Sequence, residues 1–249
     1  MMVVMDKQTI TFVKKERVAD GTMAFFFTKP DGFTYKPGQY IELTLINPKE
    51  TDDEGDARVF SLVSTPKHEY LEVAIRMRDS AFKRCLGNLK ESEEILLDGP
   101  FGAFLLHQDT NKRAVFLVGG IGITPIMSMV RSAEEEKIKR PMTLVLSTRT
   151  LGDAPFLSEL HEKKENKIMD LLHTVTNEEV SGQDLEHGYI SSDMLKKNLT
   201  DIDTCIFYVV GPPAMVRAMN KVLEELEVSP DNIKMEEFAG YEKEKGRTE

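Results

Sequence analysis

Apolar and polar positions change their rhythm near residue 107. Before it, short alternating runs lie at 9–13, 23–28, 40–46, 59–63, 71–75 and 95–97. Turn dipeptides separate them: Asp20-Gly21, Asp31-Gly32 and Pro37-Gly38. Six short strands at this spacing predict a small antiparallel β-barrel. From residue 114 the runs become mostly apolar without alternation, at 114–118, 143–146, 171–175 and 206–210. Helical segments alternate with them at 125–136, at 154–164 with Asp153 as its cap, and at 213–227. The last of these places Met215, Met219, Val222 and Leu226 on one face. A further strand is expected at 233–237. Strands buried on both faces with a helix between each predict a five-stranded parallel sheet in an α/β domain. The expected organisation is therefore a barrel over 1–106, a polar linker over 107–113 and an α/β domain over 114–249.

Composition narrows the function classes. The chain has 249 residues, with 32 basic against 42 acidic side chains and a net charge of −10. Such a balance offers phosphate backbones no positive field, so nucleic acid is not an expected partner. No apolar run reaches the roughly 18–20 residues of a membrane helix. The first residues lack a basic segment followed by an apolar one, so no signal peptide is expected. Cys85 and Cys205 are the only cysteines; reduced thiols and a cytoplasmic location are expected. The five histidines are scattered, and no metal site is expected. The acidic run 50–56 reads as a solvated hairpin loop.

Four motifs carry candidate chemistry. Val118-Gly119-Gly120-Ile121-Gly122-Ile123-Thr124-Pro125 follows a buried strand and opens a helix. Glycines there admit a ligand close to the backbone, and the helix start offers N–H groups to a pyrophosphate. The same glycines also suit a tight strand-to-helix turn. Arg58-Val59-Phe60-Ser61 lies in a barrel strand, where alternation puts Arg58 and Phe60 on one face. An arginine beside an aromatic can hold a phosphate while the ring packs on a planar group; a cross-strand ion pair beside a core phenylalanine is the alternative. Asp98-Gly99-Pro100-Phe101-Gly102 reads as a turn at the barrel's end. Tyr208-Val209-Val210-Gly211-Pro212-Pro213 is a second buried strand feeding a helix. Gly122 and Gly211 thus fall at carboxyl ends of parallel strands, where open sheets collect ligands.

In this order the motifs resemble the ferredoxin–NADP reductase superfamily of flavin oxidoreductases, over roughly residues 8–241. Its pattern includes Arg-x-(Tyr/Phe)-Ser, Gly-Pro-x-Gly, Gly-Gly-x-Gly-x-Thr-Pro, Cys-Gly-Pro-Pro and a C-terminal aromatic. Pro37-Gly38-Gln39-Tyr40 is similar to a further family strand. The resemblance implies an FAD-binding barrel and a nicotinamide-binding α/β domain. It implies that Arg58 contacts the flavin pyrophosphate, Phe60 packs on the isoalloxazine and Ser61 bonds near N5. Arg76, Ser80, Ala81 and Phe82 fall in the family's second phosphate loop. Gly120, Gly122 and Thr124 would take the dinucleotide, with Gly211 and Pro212 at the nicotinamide end. Phe238 would shield the flavin and gate the nicotinamide, with Tyr241 as competitor. Val210 stands where the family has cysteine, so no thiol is expected there.

The activity implied is hydride transfer from NADH or NADPH to flavin N5, with Ser61 and Phe238 at the reacting rings. Electrons would then pass to a separate acceptor, such as ferredoxin, flavodoxin, an oxygenase component or a diffusible molecule. An electron-transfer subunit of a larger complex, or a non-enzymatic redox or nucleotide sensor, are the other classes. NADH is favoured because Asn177, Glu178 and Glu179 stand where NADP-dependent relatives hold a 2′-phosphate; Arg149 argues the other way. The oligomeric state is not legible.

Overall fold

A computed structural model describes residues 7–182 and 184–238. The chain divides into two compact units: residues 1–105 with 124–132, and residues 106–123 with 133–249.

In the first unit six antiparallel strands run β1 (Gln8–Ala19), β2 (Thr22–Thr28), β3 (Tyr40–Leu45), β4 (Ala57–Ser61), β5 (Tyr70–Arg76) and β6 (Glu94–Phe101). Their spatial order is β4-β3-β6-β1-β2-β5. The residues after β4 close the sheet on itself. Leu62 N–H donates to Gln39 O at 3.0 Å, and Val63 N–H donates to Glu72 O of β5 at 2.8 Å. The core is Phe12, Phe25, Phe27, Ile41, Leu43 and Val73, all buried. Phe12 meets the edge of Phe27 at 5.9 Å between ring centroids. The strand β1 runs well past residue 13, where the alternation ends. Its charged stretch stays extended because Lys15, Glu16 and Arg17 pair with Phe25, Ala24 and Met23 of β2. Lys14 meanwhile lays its ammonium 4.6 Å from the Phe26 ring centre. The segment 98–101, expected as a turn, continues β6. A short helix α1 (Ala81–Gly87), not foreseen from the sequence, follows β5.

The helix α2 (Ile123–Glu135) contributes residues 124–132 to this first unit. Ser128 Oγ donates to Ser64 O at 2.6 Å. Arg131 Nη1 meets Glu72 Oε2 at 2.6 Å, with side chains only 13% and 7% exposed. Removing one partner from a buried ion pair strands the other charge.

In the second unit the parallel strands are β7 (Ala114–Gly119), β8 (Met142–Thr148), β9 (Asp170–Val175), β10 (Leu185–His187), β11 (Ile206–Gly211) and β12 (Ile233–Glu237). The order is β10-β9-β8-β7-β11-β12, so the sheet has six strands where five were expected. The extra strand is three residues long and half-buried at the sheet's edge, too short and polar to register as an apolar run. Every residue of β7 and β11 is buried. The helices α3 (Leu157–Glu165), α4 (Ser192–Asn198) and α5 (Pro213–Glu225) complete the unit. Asp153 does not cap α3. It ends a separate 3-10 turn capped by the Thr150 side chain, and Phe156 in a left-handed conformation (φ 60°) precedes Leu157. The polar stretch after residue 106 is fastened down: His107 N–H donates to the buried Tyr208 hydroxyl at 2.6 Å. Arg140 Nη2 donates to His107 O at 2.5 Å. Among the described residues no helix is long and apolar enough to cross a membrane.

Replacing Arg131 with Met should cost about 3 kcal/mol of stability in urea unfolding, because it breaks a buried ion pair. The double replacement Arg131→Met with Glu72→Leu should cost less than the single one. A single variant as stable as the native chain would contradict the structural importance of this pair.

Candidate functional site

In the first unit, Arg58 and Phe60 on β4 converge on one ring. Phe60 lies 5.9 Å from Phe82 between centroids, and the Arg58 guanidinium carbon lies 5.3 Å from the Phe82 ring centre. Phe82 is 1% exposed, so it fixes both neighbours against the barrel core. Ser80 is the N-cap of α1, its hydroxyl accepting from Lys83 N–H at 3.3 Å. Lys83 Nζ donates to Arg76 O at 2.9 Å. Its pKa is lowered, first by burial and then by the nearby charges of Arg78, Arg58 and Arg76. Four cations crowded this closely suit an anion with several charges, such as a diphosphate. The structure thus brings together Arg58, Phe60, Arg76, Ser80, Ala81 and Phe82. Ser61, at the end of β4, is buried and lies opposite Tyr40.

The acidic run is not a plain solvated hairpin. Asp52 Oδ1 accepts from Arg58 Nη2 at 3.2 Å, and Asp52 Oδ2 accepts from Ala81 N–H at 3.0 Å. Glu50 pairs with Arg84 through both oxygens, at 2.9 and 2.6 Å. Charge complementarity folds the run back onto the basic residues around α1, which hydropathy alone does not reveal.

In the second unit the turn after β7 packs against the end of β11. A Cβ on Gly122 would meet Val210 O at 2.6 Å, and one on Gly119 would meet Met215 Sδ at 2.4 Å. At Gly122 the opposing atoms are backbone, so glycine is required for packing there; at Gly119 the Met215 side chain would have to shift. Gly120 differs: its φ is +50° and an added Cβ would meet nothing within 4 Å. A side chain there would project into open space at the carboxyl ends of the strands. Thr124, in the first turn of α2, is buried. Pro212 is the N-cap of α5, directly after Gly211. Phe238 is half-buried, and its N–H donates to Gly211 O at 3.0 Å. Tyr241 lies outside the described residues. Arg149 is exposed after β8 and accepts from Asn177 N–H through its carbonyl at 2.8 Å. Leu151 N–H donates to Glu178 Oε2 at 3.0 Å, which draws that carboxylate to the same loop.

Residues 116–221 match the family described as oxidoreductase NAD-binding domain. The chain is 28% identical to Flavohemoprotein A of Dictyostelium discoideum, over 93% of this chain and 61% of that protein. It is 30% identical to the reductase component of propane 2-monooxygenase of Mycolicibacterium smegmatis, over 84% of this chain and 61% of that protein. The ferredoxin NADP+ reductase of Neisseria gonorrhoeae, solved with bound FAD and NADP, superposes with a TM-score of 0.80 at 19% identity. That match covers 94% of this chain and 99% of the other. The chain has the ferredoxin–NADP reductase fold. It spans 61% of the length of each of the two relatives named.

One residue of this reductase-type fold escaped the sequence reading. Glu236 of β12 pairs in register with Val210. Its Oε2 is buried without a hydrogen-bond partner, and burial pushes its pKa up to about 7. The signal was available as reversed polarity: on β12 Lys234 and Glu236 are half-buried while Met235 is 39% exposed.

Gly122→Ala should lower the melting temperature sharply, whereas Gly120→Ala should cost only about 1–2 kcal/mol for its left-handed backbone. Equal losses in thermal unfolding would contradict the packing role of Gly122. For Glu236, burial raises the folded-state pKa from 4.5 to about 7. The ionised form is therefore penalised in the folded chain, and stability falls as pH rises through that window. Glu236→Gln should be more stable than the native chain at about pH 8 and no more stable at about pH 4. A difference that stays constant across this range would contradict it.

Proposed function

We propose that this chain is an FAD-dependent NAD(P)H oxidoreductase that hands electrons to a separate acceptor. The observation that carries this reading is the convergence of Arg58, Phe60 and Phe82 beside a cluster of cations, in a chain that also holds the NAD-binding family's segment. In this assignment Arg58 and the 76–83 loop hold the flavin diphosphate, Phe60 packs on the isoalloxazine and Ser61 donates towards its N5 edge. The Gly120 backbone lies open to the coenzyme pyrophosphate, while Gly122 and Gly119 serve the turn that presents it. Phe238, tethered to Gly211, flanks the nicotinamide. When bound, flavin and nicotinamide supply the hydride chemistry themselves, so the protein's task is binding and alignment. Similarity to an oxygenase reductase component supports a protein acceptor, as does the fold.

The coenzyme is NADH on this reading. Glu178, held by Leu151 N–H at the ends of β8 and β9, would accept a hydrogen bond from a ribose hydroxyl and repel a 2′-phosphate. The turn carrying Arg149 lies alongside, and its guanidinium is assigned to the adenine rather than to a phosphate.

Two measurements test this function. Arg58→Ala should weaken FAD binding by about ten- to a hundredfold, the loss of charge-assisted hydrogen bonds worth roughly 1.5–3 kcal/mol. Unchanged FAD affinity would remove Arg58 from the flavin site. In steady-state reduction of ferricyanide, kcat/KM should be higher with NADH than with NADPH. Glu178→Gln should narrow that ratio. No turnover with either coenzyme in the flavin-loaded chain would instead favour the sensor reading, and a preference for NADPH would overturn the role given to Glu178.

A further inference from the structure

The 50–56 loop, which joins β3 to β4, reaches back onto Arg58 of β4 and onto the first N–H of α1. Its Asp52 carboxylate reaches in two directions. One oxygen accepts from Arg58 Nη2 at 3.2 Å and from Glu54 N–H at 3.1 Å; the other accepts from Ala81 N–H at 3.0 Å. Glu54 adds Oε2 to Arg58 Nη2 at 3.0 Å. Arg58 Nη1 is meanwhile bound by the carbonyls of Glu54, Gly55 and Ala57, at 2.8, 3.1 and 2.7 Å. The guanidinium assigned to the flavin diphosphate is thus wrapped by its own chain. A tetrahedral phosphate group could satisfy the same donors, a guanidinium N–H and a backbone N–H, with two of its oxygens.

We propose that the 50–56 loop is an internal anionic occupant of the flavin diphosphate's binding groups, with Asp52 in the place of one phosphate. Binding of the diphosphate then requires the loop to swing off Arg58 and Ala81. This rests on the assignment of Arg58 to the flavin given above.

The balance of forces suits such a device. The side chains of Asp52 and Glu54 keep 32% and 57% of their exposure, so each ion pair is screened by water and individually weak. A diphosphate brings more charge and more oxygens to the same cations, and so can outcompete the carboxylates. The Glu50–Arg84 pair at the loop's far end provides a tether that need not break. Closure lowers the apparent affinity for FAD by the fraction of molecules that are closed. It also keeps the Arg58 guanidinium paired until the diphosphate arrives.

The test is flavin titration of the full-length chain stripped of flavin, followed by fluorescence quenching, with FAD and riboflavin as probes. Asp52→Ala should tighten FAD binding by about tenfold and leave riboflavin, which has no phosphate, unchanged. In the unsubstituted chain, amide hydrogen exchange over residues 50–56 should speed up when FAD is added, the reverse of ordinary ligand protection. This second measurement needs no variant and so survives any misfolding of Asp52→Ala. If Arg58→Ala weakens FAD binding but Asp52→Ala does not tighten it, and the loop gains protection with FAD, the occupant role is overturned. If Arg58→Ala leaves FAD binding unchanged, the flavin assignment itself has failed.

Discussion

The close approach of two strand-to-helix turns governs the second unit. The turn after β7 lies so near the end of β11 that a single methyl at Gly122 would fall 2.6 Å from the Val210 carbonyl oxygen. Steric exclusion at that distance cannot be relieved by a side-chain rotation, because the opposing atom is backbone. With both turns held together, Gly211 places Phe238 through one backbone hydrogen bond of 3.0 Å. The open carboxyl edge of the sheet, with Gly120 facing space, follows from the same contact. Neighbouring glycines of one motif thus differ: Gly122 packs against backbone, while Gly120 faces open space, the side given to the coenzyme in the proposed function.

The first unit depends more on charge. The barrel core needs only apolar alternation, and it would form around many sequences of that pattern. What distinguishes this barrel is the set of cations gathered by β4, β5 and α1. Crowding like charges is unfavourable, as the lowered pKa of Lys83 shows. Asp52, Glu54 and Glu50 offset it from the 50–56 loop by pairing with Arg58 and Arg84. Asp52 is held as a carboxylate chiefly by the Ala81 N–H, which lowers its pKa. The same arrangement that stabilises the barrel's basic face is, on the proposed reading, what a flavin diphosphate must replace.

Much of this was legible in the sequence because the two periodicities are different and clean. Alternation marked the barrel strands, and mostly apolar, non-alternating runs marked β7, β8, β9 and β11. The strand features missed were those set by pairing and not by pattern, and the missed helices α1 and α4 are only seven residues each, too short to show a helical period. β10 is a three-residue edge strand held by the ladder to β9, and β1 extends through a charged stretch because β2 offers it partners. Asp153 looked like a helix cap, but the local 3-10 turn took that role and shifted the start of α3. At the candidate site, motif order singled out Arg58, Phe60, Ser80 and Phe82, which lie together in the structure, and the glycine turn. It could not show that Gly122 is a packing glycine, since that depends on Val210, 88 positions away along the chain. Nor could it show that the acidic run folds onto Arg58, since alternation and hydropathy carry no information about which charges meet.

The most direct measurement of the central assignment is anaerobic mixing of NADH with the flavin-loaded full chain while the visible flavin absorbance is recorded. The expected result is bleaching that saturates with NADH concentration and is reversed when an electron acceptor is added. A flavin that stays oxidised at saturating NADH and NADPH, in a chain shown to bind both flavin and coenzyme, would contradict the assignment.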